Sequence, residues 1–202
     1  MRHDSVNVQK NNSVGHEFQK IFSMHGYEKA ELFLENSIKF CKGTRKEFDA
    51  RFLRARGYEA GWFGSVNFQK AMNDYIHLIR CQGRIDDNIY AECLLGCARI
   101  HYLKKENINE IKRLCDIVVS INGNHKALTL LGFSYENIKN DYKLASKYYL
   151  LSFLKGSKRA LAYYSYAKYK SGKYISGSIS LILYYILYPL LSIFDKSKYY
   201  LY

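Results

Sequence analysis

The sequence predicts an all-α protein built from stacked helical hairpins. The pattern A-x-x-x-L-G occurs at residues 91–96 and again at 127–132, an interval of 36 residues that is typical of repeated hairpins. The single proline, Pro189, suits long uninterrupted helices and argues against a loop-rich β fold. Because one hairpin is too small to bury its own apolar face, neighbouring hairpins are expected to share a continuous core.

Residues 1–15 are polar and aperiodic, and we expect them to form a disordered lead-in. From His16 onward apolar side chains recur at steps of three and four, and Gly43 is expected to end the first helix after Phe40. The glycine-containing segment 62–65 (WFGS) is predicted to be a turn, and Asp86 or Asp87 is expected to cap a later helix. The later helices are predicted at residues 50–61, 68–83, 91–103, 108–121, 127–138, 142–155 and 160–169.

Small residues recur at matched positions of these helices. Two helices can approach to about 8–10 Å only where a facing side chain is short. Ile111 occupies the matched position of one hairpin with a larger side chain. The small residues expected at helix contacts are Ala30, Ala71, Gly96, Gly132 and Ala145.

One predicted hairpin carries a specific resemblance. Its residues at the matched positions are Ala127, Leu131, Gly132, Tyr135, Asp141, Ala145, Tyr148, Gly156 and Ala160. This order and spacing resembles the Sel-like branch of the tetratricopeptide repeat family, and weaker matches extend the resemblance over roughly residues 27–175. The sequence departs from the family pattern at Asn137, where glycine is usual, and at Arg99, where tyrosine is usual.

The resemblance implies a short right-handed solenoid of four to five hairpins, whose first helices line a concave surface. Such surfaces bind extended segments or partner domains through many modest contacts. The candidate partner contacts on that surface are Arg54, Arg99, Tyr135, Tyr163 and Tyr166.

Positive charge is concentrated in the last third of the chain. The net charge is +13, and the segment from Asn137 onward contributes +9, from eleven Lys or Arg and two Asp. Fifteen of the twenty tyrosines lie beyond Phe133. This composition favours an anionic membrane surface or a polyanion as partner. We do not expect nucleic acid, because tyrosines packed between repeats and solvated lysines explain the same pattern.

Residues 175–194 contain no charged side chain, and residues 195–202 form a basic, tyrosine-rich tail. As a helix the first of these segments would be about 30 Å long, which matches the hydrocarbon core of a bilayer. The predicted membrane or docking residues are Ile179, Leu183, Ile186, Leu187, Leu190, Leu191 and Phe194. The lysines predicted to lie against anionic headgroups, termed here the basic apron, are Lys168, Lys170, Lys173, Lys196 and Lys198.

The same segment could instead form the second helix of a last hairpin. A soluble solenoid normally ends in a cap with a polar outer face, whereas this helix is apolar nearly all round. Its outer side must therefore be covered. The alternatives are a membrane, either spanned or bound in its plane, and a protein partner that includes a second copy of the chain.

No cofactor, metal or catalytic site is expected. Cys93, Cys97 and His101 form one helical stripe, but they lack the fourth ligand and the tight turn of a structural zinc site, so packing is favoured. The phosphate-binding, dinucleotide-binding and metalloprotease motifs are absent from the sequence. The five cysteines are expected to be reduced thiols, because their number is odd and residues 1–18 lack the apolar stretch of a signal peptide.

The sequence therefore predicts a non-enzymatic scaffold for protein–protein interactions on the cytoplasmic side of a membrane. The resemblance adds assembly of a multi-protein complex, in bacterial relatives often of the cell envelope or surface polysaccharide. The alternative is a soluble regulatory or effector protein that docks one partner through its apolar C-terminal segment. A third alternative, an enzyme, has no convergent polar cluster to support it.

Overall fold

The computed structural model describes the backbone of residues 13–193 and the side chains of residues 13–186. This part of the chain is all-helical, with nine α-helices and no strand, as the sequence predicts. The chain divides into two compact units, residues 1–100 and 101–202, and the division falls inside the predicted repeat region.

The first unit contains α1 (Val14–Phe40), α2 (Arg45–Ala60), α3 (Phe68–Arg80) and most of α4 (Asp87–Leu103). Helix α1 begins at Val14, inside the predicted lead-in, because the Ser13 side chain accepts a hydrogen bond from the His16 amide and Val14 is buried. The rest of that lead-in, residues 1–12, lies outside the described residues. Gly26 has φ 76° inside α1 and kinks it, a feature that the periodicity did not reveal.

The helices α2 and α4 begin four or five residues earlier than predicted. Their first turns, at Arg45 and Asp87, are polar, and an apolar period cannot reveal such a turn. The predicted cap of α4 is confirmed, since Asp86 Oδ1 accepts a hydrogen bond from the Asn88 amide at 2.8 Å. The predicted WFGS turn is also confirmed: α2 ends at Ala60, the next residue Gly61 caps it with φ 76°, and α3 begins at Phe68.

The second unit contains α5 (Ile108–Asn122), α6 (His125–Asn137), α7 (Tyr142–Leu154), α8 (Ala160–Lys170) and α9 (Tyr174–Ile193). Side chains of Asn107, Asn124 and Asp141 cap α5, α6 and α7. One cluster of its core consists of Ala145, Tyr149 and Ala167, with aromatic rings of α6 and α8 packed against it. The small residues predicted at helix contacts are buried in both units, and Ala30, Ala71 and Ala145 are fully so.

Candidate functional site

The terminal helix α9 presents an uncovered apolar face. Its inner side lies on α8 at Gly177, which is buried: a Cβ added there would lie 3.0 Å from the carbonyl oxygen of Ser165 and the amide nitrogen of Tyr169. On the opposite side Ile175, Ile179, Ile182 and Ile186 are 80%, 54%, 59% and 57% exposed. We call these four residues the outer face of α9. Such a continuous exposed apolar strip is a candidate interaction surface.

The predicted docking residues divide into two groups. Ile179, Leu183 and Ile186 lie on α9 and are exposed. The backbone of α9 includes Leu187, Leu190 and Leu191, whose side chains lie outside the described residues, and Phe194 lies beyond them entirely. Within residues 13–193, no helix has both the length and the apolar composition that crossing a bilayer requires.

The described part of the basic apron lies at the turn between α8 and α9. Lys170 and Lys173 are exposed and Lys168 is half-buried, whereas Lys196 and Lys198 lie outside the described residues. Two of these ammonium groups lie over tyrosine rings of the preceding turn, Lys168 over Tyr164 at 5.3 Å and Lys170 over Tyr166 at 5.7 Å. The apron therefore adjoins the first turn of α9, where the outer face begins.

A cleft of about 460 Å³ opens between α8 and α9. Tyr166, Tyr169 and Lys170 line it from α8, while Ser178 and Leu181 line it from α9. Tyr166 is 48% exposed, so this predicted partner contact is accessible at the mouth of the cleft.

The predicted contacts Arg54 and Arg99 are both held by carboxylates of the first unit. Arg54 donates two hydrogen bonds to Asp74, from Nε at 2.8 Å and from Nη2 at 2.9 Å. Arg99 donates likewise to Glu59, which also accepts a hydrogen bond from the hydroxyl of Tyr75 at 2.6 Å. Burial acts to raise the pKa of Glu59, but the hydrogen bonds and charge of Arg99 lower this pKa below its ordinary value. Both arginines thus support the packing of their own unit.

The predicted contacts Tyr135 and Tyr163 are engaged by neighbouring rings. Tyr135 stacks on Tyr148 with the ring planes 6° apart and the centroids 5.3 Å apart. Tyr163 packs against Phe133, with the centroids at 4.8 Å, and also against Tyr149. Both tyrosines are half-buried and contribute to the aromatic core of the second unit.

The thiols of Cys93 and Cys97 are buried, as their place in a packing stripe predicts. Burial raises the pKa of the Cys93 thiol, which keeps it protonated and unreactive at neutral pH. His101 Nδ1 lies 2.7 Å from Glu106 Oε2. Among the described residues no group of three His, Cys, Asp or Glu side chains is arranged to hold a metal ion.

Sequence reasoning missed an aromatic cluster near the start of the first unit. Phe18 lies 5.7 Å from Phe22 and 6.2 Å from Trp62, measured between ring centroids. With Gly15, Gln19 and Leu53 these rings line an apolar cleft of about 240 Å³. The spacing of Phe18 and Phe22 could have shown that both rings lie on one helix face. The sequence could not place Trp62 beside them, because Trp62 lies in a turn distant along the chain.

Comparison of the chain with known proteins does not identify a family. No protein-family model matches the chain, and no curated protein or solved structure matches it either.

Proposed function

We propose that this chain is a non-enzymatic helical-repeat scaffold that binds protein partners and is attached to its place of action by α9. The observation that carries the proposal is the outer face of α9, which the described residues of the second unit leave exposed. An apolar face of this kind is stable only when another surface covers it.

The packing of each unit supports the repeat part of the proposal. In the first unit α1 packs on α2 and α2 on α3. In the second unit α5 packs on α6, α6 on α7, α7 on α8 and α8 on α9. Contacts between helices that follow one another in the chain are the property of hairpin repeats. We further propose the right-handed solenoid and the concave partner surface that the Sel-like and tetratricopeptide resemblance implies.

The polar contacts support a scaffold rather than an enzyme. The carboxylates of Asp74 and Glu59 accept hydrogen bonds from arginines. The hydroxyl of buried Tyr149 donates a hydrogen bond to Glu136 at 2.7 Å. These groups therefore stabilise helix pairs instead of meeting a substrate in a cleft. We place the scaffold on the cytoplasmic side of a membrane, where the resemblance suggests a role in assembling envelope or surface-polysaccharide machinery.

Affinity capture after cross-linking tests the scaffold. We compare the full-length chain, a Tyr166→Ala variant of the predicted partner surface, and a Tyr27→Ala control at an exposed tyrosine of the first unit. We expect one reproducible set of proteins with the full-length chain and the control, and a weaker set with the Tyr166 variant. Recovery no greater than that of an unrelated helical protein would overturn the proposal.

A further inference from the structure

We propose that the surface covering α9 is that of an anionic lipid bilayer, and that α9 lies in its plane. In this arrangement the outer face enters the boundary between headgroups and acyl chains, and Lys170 and Lys173 lie against the phosphates. The inference rests on the proposed function, since it names the surface to which the scaffold attaches.

The two sides of α9 fix this orientation. Gly177 brings the helix against the backbone of α8, so that side is occupied by protein. At about 100° per residue, Ile175, Ile179, Ile182 and Ile186 project within about 40° of the opposite direction. Protein covers the Gly177 side in the first turns of α9, while farther along the helix Leu181, Leu183 and Tyr185 are 41%, 46% and 69% exposed. A helix held along one side by such a contact lies in the membrane plane rather than across the bilayer.

The charge around α9 matches an anionic lipid surface. Residues 142–193 contain no Asp or Glu, and they carry seven Lys and one Arg. Exposed Lys170 lines the cleft between α8 and α9, and exposed Lys173 directly precedes the first turn of α9. Each lysine at an anionic bilayer surface strengthens binding by about fivefold. Such a bilayer supplies both an apolar layer for the isoleucines and phosphates for the lysines.

Exposed tyrosines accompany these lysines at the turn between α8 and α9, where Tyr166 and Tyr169 line the cleft. Tyr166, Tyr169 and Tyr174 are 48%, 52% and 58% exposed, and tyrosine favours the membrane–water interface because its ring is apolar and its hydroxyl polar. A second copy of the chain fits less well. Pairing two outer faces would bring two sets of exposed lysines together without an intervening carboxylate from residues 142–193.

Co-sedimentation of the full-length chain with vesicles tests the inference. The probes are vesicles of phosphatidylcholine alone and vesicles that also contain phosphatidylglycerol. We expect binding to the phosphatidylglycerol vesicles at low salt, weaker binding as salt is raised, and little binding to phosphatidylcholine alone.

Three variants separate the contributions of the apolar side chains and of the lysines to vesicle binding. Ile175→Ser/Ile179→Ser/Ile182→Ser removes apolar area from the exposed side, and it should abolish binding without disturbing the contact with α8. Lys170→Gln/Lys173→Gln should weaken binding by about 25-fold, at about fivefold per lysine. Lys29→Gln/Lys42→Gln removes the same charge at exposed positions of the first unit and should bind as the natural chain does.

An Ile179→Trp variant measures depth with brominated lipids. Bromines near the headgroups should quench the new tryptophan more than bromines at the bilayer centre, after subtraction of the Trp62 signal measured with the natural chain. Stronger quenching from the centre would overturn the in-plane arrangement.

Other outcomes identify which proposal fails. Equal affinity for both vesicle types, or a dimer that the triple serine variant dissociates, would overturn the lipid inference. If the chain does not bind vesicles but still captures the partner set, the lipid inference is overturned and the scaffold proposal is supported. If the chain binds vesicles but cross-linking recovers no partner, the scaffold proposal is overturned and the lipid inference is supported.

Discussion

Gly132 of α6 lies directly against the ring of Tyr149 of α7. A Cβ added to Gly132 would approach three carbons of that ring to within 2.8 Å, and Tyr149 is fully buried. Gly96 of α4 has the same relationship with buried Tyr75 of α3, at 2.5 Å. The glycine of the A-x-x-x-L-G pattern therefore makes room for a tyrosine ring. In one copy the ring comes from the following helix, and in the other from the preceding helix.

Replacing Gly132 by alanine should destabilise the second unit. Overpacking a close-packed core costs about 1–3 kcal/mol, which outweighs the gain of up to about 1 kcal/mol in helix propensity. Urea denaturation followed by circular dichroism measures the change in the free energy of unfolding. Gly15→Ala is the matched control, because Gly15 is also helical but has no neighbouring atom within 4 Å of an added Cβ. The control should be neutral or stabilising, and an equal loss in both variants would contradict the packing explanation.

Replacing Gly177 by valine should separate α9 from α8. The groups in the way are the backbone atoms of Ser165 and Tyr169 at 3.0 Å, and backbone cannot rotate aside as a side chain can. We expect faster amide hydrogen exchange throughout α9, while α5 and α6 keep their protection. An Ile175→Val variant on the exposed side serves as the control, and unchanged exchange in the Gly177 variant would show that the contact is not needed.

Removing Arg99 should cost more stability than removing a surface arginine. The Glu59 side chain is 10% exposed, and Arg99→Ala would remove its two charged hydrogen bonds and leave the hydroxyl of Tyr75 and the charge of Arg56, at a cost of about 1.5–3 kcal/mol. Arg113→Ala, which breaks an exposed pair with Glu110 three residues away, should cost at most about 1 kcal/mol. Thermal denaturation of both variants at neutral pH makes the comparison. Similar losses would mean that the Arg99 pair contributes no more than a surface pair.

The same carboxylate should make the first unit sensitive to acid. Burial acts to raise the pKa of Glu59, but Arg99 lowers it below the ordinary 4.5, so the folded state binds the proton less readily than the unfolded chain. The resulting stabilisation is complete above the ordinary pKa and is lost as pH falls through the lower pKa of the folded state. Glu59→Gln should therefore show a shallower loss of unfolding free energy below about pH 4.5. An unchanged slope in denaturant titrations over that range would refute this assignment.

Several features followed from the sequence because they depend on residues close together in the chain. Apolar periodicity located the first eight described helices, and the absence of charge located α9. Gly61 and Asp86 marked a helix end and a helix start through their own backbone and side-chain preferences. The misplaced starts of α2 and α4 have the same origin, since a polar first turn carries no apolar period.

The sequence predicted the candidate site only in outline. The lack of charge in residues 175–194 indicated an apolar helix, and the lysines around it indicated an anionic surface. The sequence could not show which side of α9 faces outward, because the helix is apolar nearly all round. Gly177 differs from the other small residues of the helix only through its contact with α8, which the structure reveals. The sequence also did not reveal that Asp74 and Glu59 lie beside the predicted partner contacts Arg54 and Arg99.

The sequence by itself determined the helices and their turns, since each depends on interactions between residues a few positions apart, and it showed the glycine that recurs at Gly96 and Gly132. Only the tertiary structure decided which ring fills the space beside each glycine, which carboxylate holds each arginine, and which side of the last helix stays uncovered. Those choices depend on how each helix is rotated against its neighbour, and that rotation is set by the fit of side chains from distant parts of the chain.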